Sequence, residues 1–172
     1  MIADEPLAFR AAMESARRLA QYSPDPSRKN GAVLLDREFR LVSTGINTFP
    51  INVESRPERW ERPTKYLYVE HAERNAIYEA ARHGVCSNYG TLVCLWAACA
   101  DCARAIIQAG LVRLVRERYA SSTDDRWNAS ILAGDEMLRE AGVEIIDLEP
   151  IVFEPARRDA PTFPAHSMHG YS

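Results

Sequence analysis

Two short segments hold the side chains best suited to chemistry: His71 and Glu73 in His71-Ala72-Glu73, and the thiols of Cys99-Ala100-Asp101-Cys102. Cysteines three apart at a helix start lie on one face, so both sulfurs can reach a single ion. His71 can be the third ligand. Glu73 stands two residues beyond His71, and on a regular helix such side chains diverge by about 200°. They converge only near the first turn, which puts the ion at a helix N-terminus. One imidazole and two thiolates suit a borderline-soft ion, most simply zinc, and three protein ligands leave the fourth tetrahedral position to water. Two thiolates cancel the formal charge of the ion and make its water less acidic than a three-histidine site would. A neighbouring base then gains value, and Glu73 fits that duty. Two helix N-termini aimed at this spot would stabilise the thiolates and any anion that develops there.

Periodicity supplies the elements that must carry these groups. Phe9, Met13, Ala16 and Ala20 mark an amphipathic helix over Pro6 to Gln21, which ends at Ser23-Pro24-Asp25-Pro26-Ser27. Gly31 to Asp36 and Leu41 to Gly45 read as adjacent strands joined by a tight turn. Ile46 to Lys65 has no clean period and reads as a long loop bordering a site. A helix over Val69 to Arg82, stopped by Gly84, is followed by a strand at Thr91 to Trp96. Then come a helix from Cys99 to Gln108, a strand at Leu111 to Val115 and a polar loop from Tyr119 to Asp125. A helix from Asn128 to Ala141 and a strand at Val143 to Leu148 complete the pattern. Such alternation predicts crossovers, a mostly parallel sheet covered by helices, and a three-layer α/β architecture.

Composition bounds the function. With 172 residues, 47% hydrophobic and 26% charged, the chain belongs with ordinary globular proteins of one domain. We assign residues 1–154 to a catalytic domain and 155–172 to an extended tail. The tail with His166 and His169 reads as disordered or loosely packed, and the alternative is that these histidines reach a neighbouring subunit's site. A net charge of −3 and a pI near 5.8 argue against a nucleic-acid partner, which needs clustered Lys and Arg. No apolar run approaches the roughly 20 residues of a membrane span. Asp4 and Glu5 stand where a secretory leader would be basic and then apolar, so the cytoplasm is the expected location. Cys86 and Cys94 read as plain thiols.

His-x-Glu followed by Cys-x-x-Cys is a known signature of zinc deaminases, in which the Glu is acid and base rather than ligand. Each half alone is weak, since Cys-x-x-Cys divides between redox and zinc sites. Together, each opening a helix and 28 positions apart, they are specific. From about Ala8 to Asp147 the chain resembles the deoxycytidylate deaminase branch of the cytidine deaminase superfamily. The resemblance is carried by Ser23-Pro24-Asp25-Pro26-Ser27 before Gly31-Ala32-Val33, by Thr44-Gly45-Ile46-Asn47 with Pro50, by Thr64 to Ile77 around the His-x-Glu, and by Ala103 to Leu111. It implies a five-stranded mixed sheet in an α/β/α sandwich and zinc held by His71, Cys99 and Cys102. It also implies proton transfer by Glu73, substrate contacts from Asn47 and Ala72, and homo-oligomers. The expected reaction is hydrolytic deamination of a cytosine nucleotide, dCMP to dUMP with ammonia release.

The remaining readings concern the substrate. Arg28, Lys29 and Lys65 could together hold a monophosphate, or each could be solvated surface. Asn47 after Gly45 could be an ordinary turn residue. Ala97-Ala98 precede Cys99 where the resembled family places a bulky residue and Pro, which predicts a roomier wall. Thr48 stands where that family often has Gly, and Glu70 adds a carboxylate beside His71. These departures keep open the same chemistry on another aminated base, nucleoside or RNA base. A zinc-stabilised, non-catalytic binding module is the reading from another class, with the site closed by a fourth ligand such as His83. Trp60, Trp96 and Trp127 read as core or interface packing.

Overall fold

Side chains alternating along the central strands divide between two apolar layers, and this division sets the architecture. In the computed structural model, which describes residues 5–117 and 125–149, the elements are α1 (Glu5–Ala20), β1 (Gly31–Leu35), β2 (Leu41–Ile46), α2 (Ala72–Arg82), β3 (Thr91–Cys94), α3 (Ala100–Gln108), β4 (Arg113–Glu117), α4 (Asp125–Glu140) and β5 (Glu144–Leu148). Ala32, Leu34, Leu92, Cys94 and Leu114 face α2, α3 and α4 in one core. Val33, Leu35, Val93 and Val115 face Phe9, Ala12, Met13 and Ala16 of α1 in the other. The three layers are therefore α1, the sheet, and the remaining helices.

The strand order is β2-β1-β3-β4-β5. β1 runs antiparallel to both β2 and β3, while β3, β4 and β5 are mutually parallel. The sheet is thus mixed, as the family resemblance implied, and not mostly parallel as the alternation of elements alone suggested. The reason lies in the hairpin. Phe39 adopts a positive φ of 61° in the short β1–β2 turn, which reverses the chain without a crossover helix. β2 is one edge of the sheet, opposite β5, and its pattern of exposure alternates accordingly.

Boundaries moved by a few residues where local bonding overrides apolar period. Helix α2 begins at Ala72 rather than Val69, because Glu70 pairs with Thr48 in an isolated antiparallel bridge. His71 is left extended, at φ −75° and ψ 153°, as the residue before the first turn. β3 ends at Cys94 instead of Trp96, and α4 begins at Asp125 instead of Asn128. The long loop after β2 contains two single turns of 3-10 helix, Pro57–Trp60 and Thr64–Leu67. Positions 119–124 of the expected polar loop, and the tail with His166 and His169, lie outside the described residues.

A close approach brings α2 to the sheet. A Cβ on Gly45 of β2 would lie 2.1 Å from the carbonyl oxygen of Ala72 and 2.5 Å from the nitrogen of Ala76. Only a residue without a side chain lets the first turn of α2 rest on this strand. That turn carries Glu73. No helix among the described residues is long and apolar enough to cross a membrane.

Candidate active site

His71 and Cys99 occupy equivalent places, each the extended residue that caps the N-terminus of a helix, α2 and α3 respectively. Neither caps with its side chain, so both side chains are free to turn toward the space between the two helix starts. Cys102 joins them from the first turn of α3. His71 Nδ1 lies 3.5 Å from Cys99 Sγ and 3.5 Å from Cys102 Sγ, and the sulfurs are 3.6 Å apart. Tetrahedral zinc with ordinary Zn–N and Zn–S bonds requires edges of about 3.5 Å between nitrogen and sulfur and about 3.7 Å between sulfurs. The donor set therefore fits zinc in both geometry and chemistry.

These three form the one group of metal-ligating side chains among the described residues. His83 is not a fourth ligand. It caps the opposite end of α2, is exposed, and its ring nitrogen lies 2.9 Å from Glu79. Cys86 is exposed and Cys94 buried, both as free thiols.

The thiols share protons unequally. The hydrogen bond between the two thiols, followed by the imidazole of His71, draws Cys99 down to about 4 despite its burial. Cys102 is pushed up, first by that same hydrogen bond to Cys99 and then by burial. For His71, burial acts downward, but the Cys99 sulfur and the Glu73 charge outweigh it and raise the imidazole. Glu73 is only 2% exposed, and burial raises its carboxyl above the usual range.

Glu73, His71 and Cys99 line one cavity with Asn30, Asn47 and Ala97. Asn47 is a junction rather than a simple turn residue. Its Oδ1 accepts the backbone N–H of Ala72 at 2.8 Å, and its Nδ2 donates to the carbonyl of Arg28 at 2.9 Å. Its own carbonyl accepts the Ser23 hydroxyl at 2.7 Å. Ala72 is fully buried, its N–H already held by Asn47. Thr48 and Glu70 meet in the bridge noted above, and Glu70 pairs with Arg74.

The predicted cations separate by role. Arg28 lines the cavity, half-buried, with its guanidinium 4.7 Å from the centre of the Trp96 ring. Lys65 also reaches the cavity wall, but its ammonium is committed to both carboxylate oxygens of Asp25 at 2.7 Å and to the Ser27 hydroxyl at 2.6 Å. Lys29 is exposed and donates to the Gln21 carbonyl. Arg62, which the sequence did not single out, lines the cavity. Among the described residues neither Arg28 nor Arg62 has a carboxylate partner.

One of the three tryptophans departs from the expected core packing. Trp60 packs, stacked on Phe49 with ring centres 4.0 Å apart. Trp127 packs against the core and also lines the cavity, with its ring centre 5.7 Å from that of His71 and 5.9 Å from that of Tyr66, whereas Trp96 is exposed at the cavity mouth. Trp127 arrives on α4, which also supplies Ser130 Oγ to the backbone N–H of Ala100 at the start of α3. No local pattern could have tied α4 to the site. Asn30, which bonds Glu73, was also missed, although an amide directly ahead of an apolar strand was a possible signal.

Residues 8–117 match the family model described as the cytidine and deoxycytidylate deaminase zinc-binding region. The chain is 34% identical over 133 residues to a protein of Aliivibrio fischeri described as an uncharacterized deaminase in the luxG 3' region, covering 77% of this chain and 87% of that one. It is 29% identical over 154 residues to human deoxycytidylate deaminase, covering 81% and 84% respectively. Among solved structures, dCMP deaminase from the cyanophage S-TIM5 in its apo form superposes with a TM-score of 0.65 at 25% identity, covering 83% of this chain and 98% of the phage chain.

Proposed function

Since the chain belongs to the cytidine and deoxycytidylate deaminase family, and is an enzyme of that hydrolase type, we propose that it converts dCMP and water to dUMP and ammonia. The observation that carries this reading is the His71, Cys99 and Cys102 triangle, sized for zinc, at the wall of a cavity that Glu73 also lines. When bound there, zinc supplies the Lewis acidity that makes water nucleophilic at neutral pH.

This chain's residues do the rest. Glu73 takes the two protons of the attacking water in turn and delivers one to the ring nitrogen beside the reacting carbon and one to the departing nitrogen. One carboxylate serves both steps, because water must lose a proton and the amine must gain one. The tight burial of Glu73 keeps bulk water from competing for that proton. Asn47 and Ala72 shape the floor on which the ring lies, with the backbone of Ala72 fixed by the Asn47 amide. Arg28 and Arg62 are the cations free to meet a monophosphate, while Lys65 contributes by holding the Asp25 loop. The edge of Trp127 beside His71 offers an apolar face for the ring.

Ala97 at the cavity wall favours a second reading on the same chemistry, in which a larger aminated ring replaces cytosine. The acidic composition does not favour an RNA substrate. Family resemblance supports a homo-oligomer acting in the cytoplasm on a small molecule. Zinc-loaded protein assayed for ammonia release from four cytosine compounds, dCMP, CMP, deoxycytidine and cytosine, and from aminated purines tests both readings, with Glu73→Ala as control. Turnover of dCMP is the expected result. No release from any of the four overturns the cytosine assignment, and release only from a larger aminated ring establishes the second reading.

A further inference from the structure

Asn30 is a polar side chain where a strand entry would ordinarily be apolar, and it is 3% exposed. A buried amide must find partners for both ends. Its Oδ1 accepts the backbone N–H of Gly31 at 2.9 Å, and its Nδ2 donates to Glu73 Oε2 at 3.2 Å. A backbone N–H can only donate, so the amide oxygen must face Gly31 and the amide nitrogen must face Glu73. The orientation follows from the bonds themselves.

The backbone beneath Asn30 is pinned. Its carbonyl accepts the N–H of Asn47 at 3.3 Å. Gly31 is wedged so closely on α1 that a Cβ there would lie 2.2 Å from the Ala16 carbonyl oxygen. Glu73 stands 43 residues away on another element, and Asn30 is its one side-chain partner among the described residues. The terminal torsion of a glutamate is otherwise broad. A donor fixed on one oxygen narrows it.

We propose that Asn30 is a positioning residue for proton transfer: by holding Glu73 Oε2 it aims the other oxygen, Oε1, at the reacting atoms. An amide N–H cannot accept a proton, so Oε2 stays an acceptor throughout and Oε1 takes up and gives back the proton in both steps. The inference rests on the reading of Glu73 as the proton carrier. It adds which oxygen does the work and what holds it there.

Two variants separate holding from filling space. Asn30→Leu removes the donor at similar volume. Asn30→Asp retains an acceptor for Gly31 and replaces the donor facing Glu73 with a second carboxylate oxygen. Both are expected to lower kcat by about tenfold to a hundredfold, the scale of an ångström's misplacement, with KM for dCMP and zinc content unchanged. Crystals of the zinc-loaded Asn30→Leu protein are expected to show the Glu73 carboxylate rotated from its native place. Wild-type kcat in either folded variant, or an unmoved Glu73 carboxylate in the crystals, overturns the proposal. If the wild-type protein deaminates nothing in the panel, the functional reading falls, and the crystal comparison still decides whether Asn30 holds Glu73.

Discussion

Lys65 Nζ lies 2.7 Å from each carboxylate oxygen of Asp25, so the loop before β1 and the loop before α2 are joined across 40 residues beside the cavity. Both side chains are almost wholly buried, at 5% and 1% exposure. Asp25 is also the hub of its own turn, accepting the backbone N–H groups of Ser27 and Arg28. Burial alone would raise this carboxyl, but the Lys65 ammonium and the two N–H donors hold it below its ordinary value of 3.8.

Removing one partner should therefore be costly. Lys65→Met leaves a buried carboxylate unpaired and is expected to lose about 3 to 5 kcal/mol in urea unfolding. Lys65→Met with Asp25→Leu should lose less, since no charge is left stranded. Equal losses in the single and double variants would contradict the pairing argument.

The same pair predicts a pH dependence. A carboxyl whose folded pKa is depressed stabilises the fold fully above its unfolded value, here 3.8, and loses that contribution as pH falls through the lower folded value. The melting temperature of the wild-type protein should fall more steeply below pH 3.8 than that of the double variant. Parallel curves would show that Asp25 titrates alike in both states.

Removing Glu73 should separate chemistry from metal binding. Glu73→Ala is expected to lower kcat by about a hundredfold to ten-thousandfold while zinc per chain, read by elemental analysis, stays at the wild-type value. Retained turnover would show that Glu73 does not carry the protons, while zinc binding with no turnover in the wild-type protein either would favour the non-catalytic module. Loss of zinc with loss of turnover would make Glu73 part of the metal site instead.

Stripping zinc with a chelator should abolish turnover and lower the melting temperature, with both restored by added zinc, because three ligands from two helix starts then lose their common partner. A melting temperature indifferent to chelation would argue that packing alone holds α2 and α3 together.

Arg28→Ala should discriminate among substrates. If its guanidinium meets the phosphate, KM for dCMP rises by about tenfold or more, the worth of a charged hydrogen bond of roughly 1.5 to 3 kcal/mol, while KM for deoxycytidine is unchanged. An equal rise for both substrates would confine Arg28 to packing on Trp96.

What the sequence by itself determined was local: residue type and short spacing. Cysteines three apart, a histidine and glutamate two apart, and apolar periods of two or about four anticipate a group of possible metal ligands at two helix starts and a sheet covered on both faces, and the structure brings His71, Cys99 and Cys102 together in that way. The antiparallel β1–β2 pair was legible in the tight turn between the two strands, whereas the place of β1 between β2 and β3, antiparallel to both, was implied only by the resemblance. Tertiary structure alone decided which cations stay free, because Lys65 and Arg28 look alike until Asp25 is seen beside one and Trp96 beneath the other. It also decided that Trp127 and Asn30 line the cavity beside His71 and Glu73, from α4 and from the entry to β1. Hydrogen bonds and ion pairs act over about 3 Å in space, whereas these partners stand 40 or more residues apart in the chain, so only the packed fold can bring them within reach.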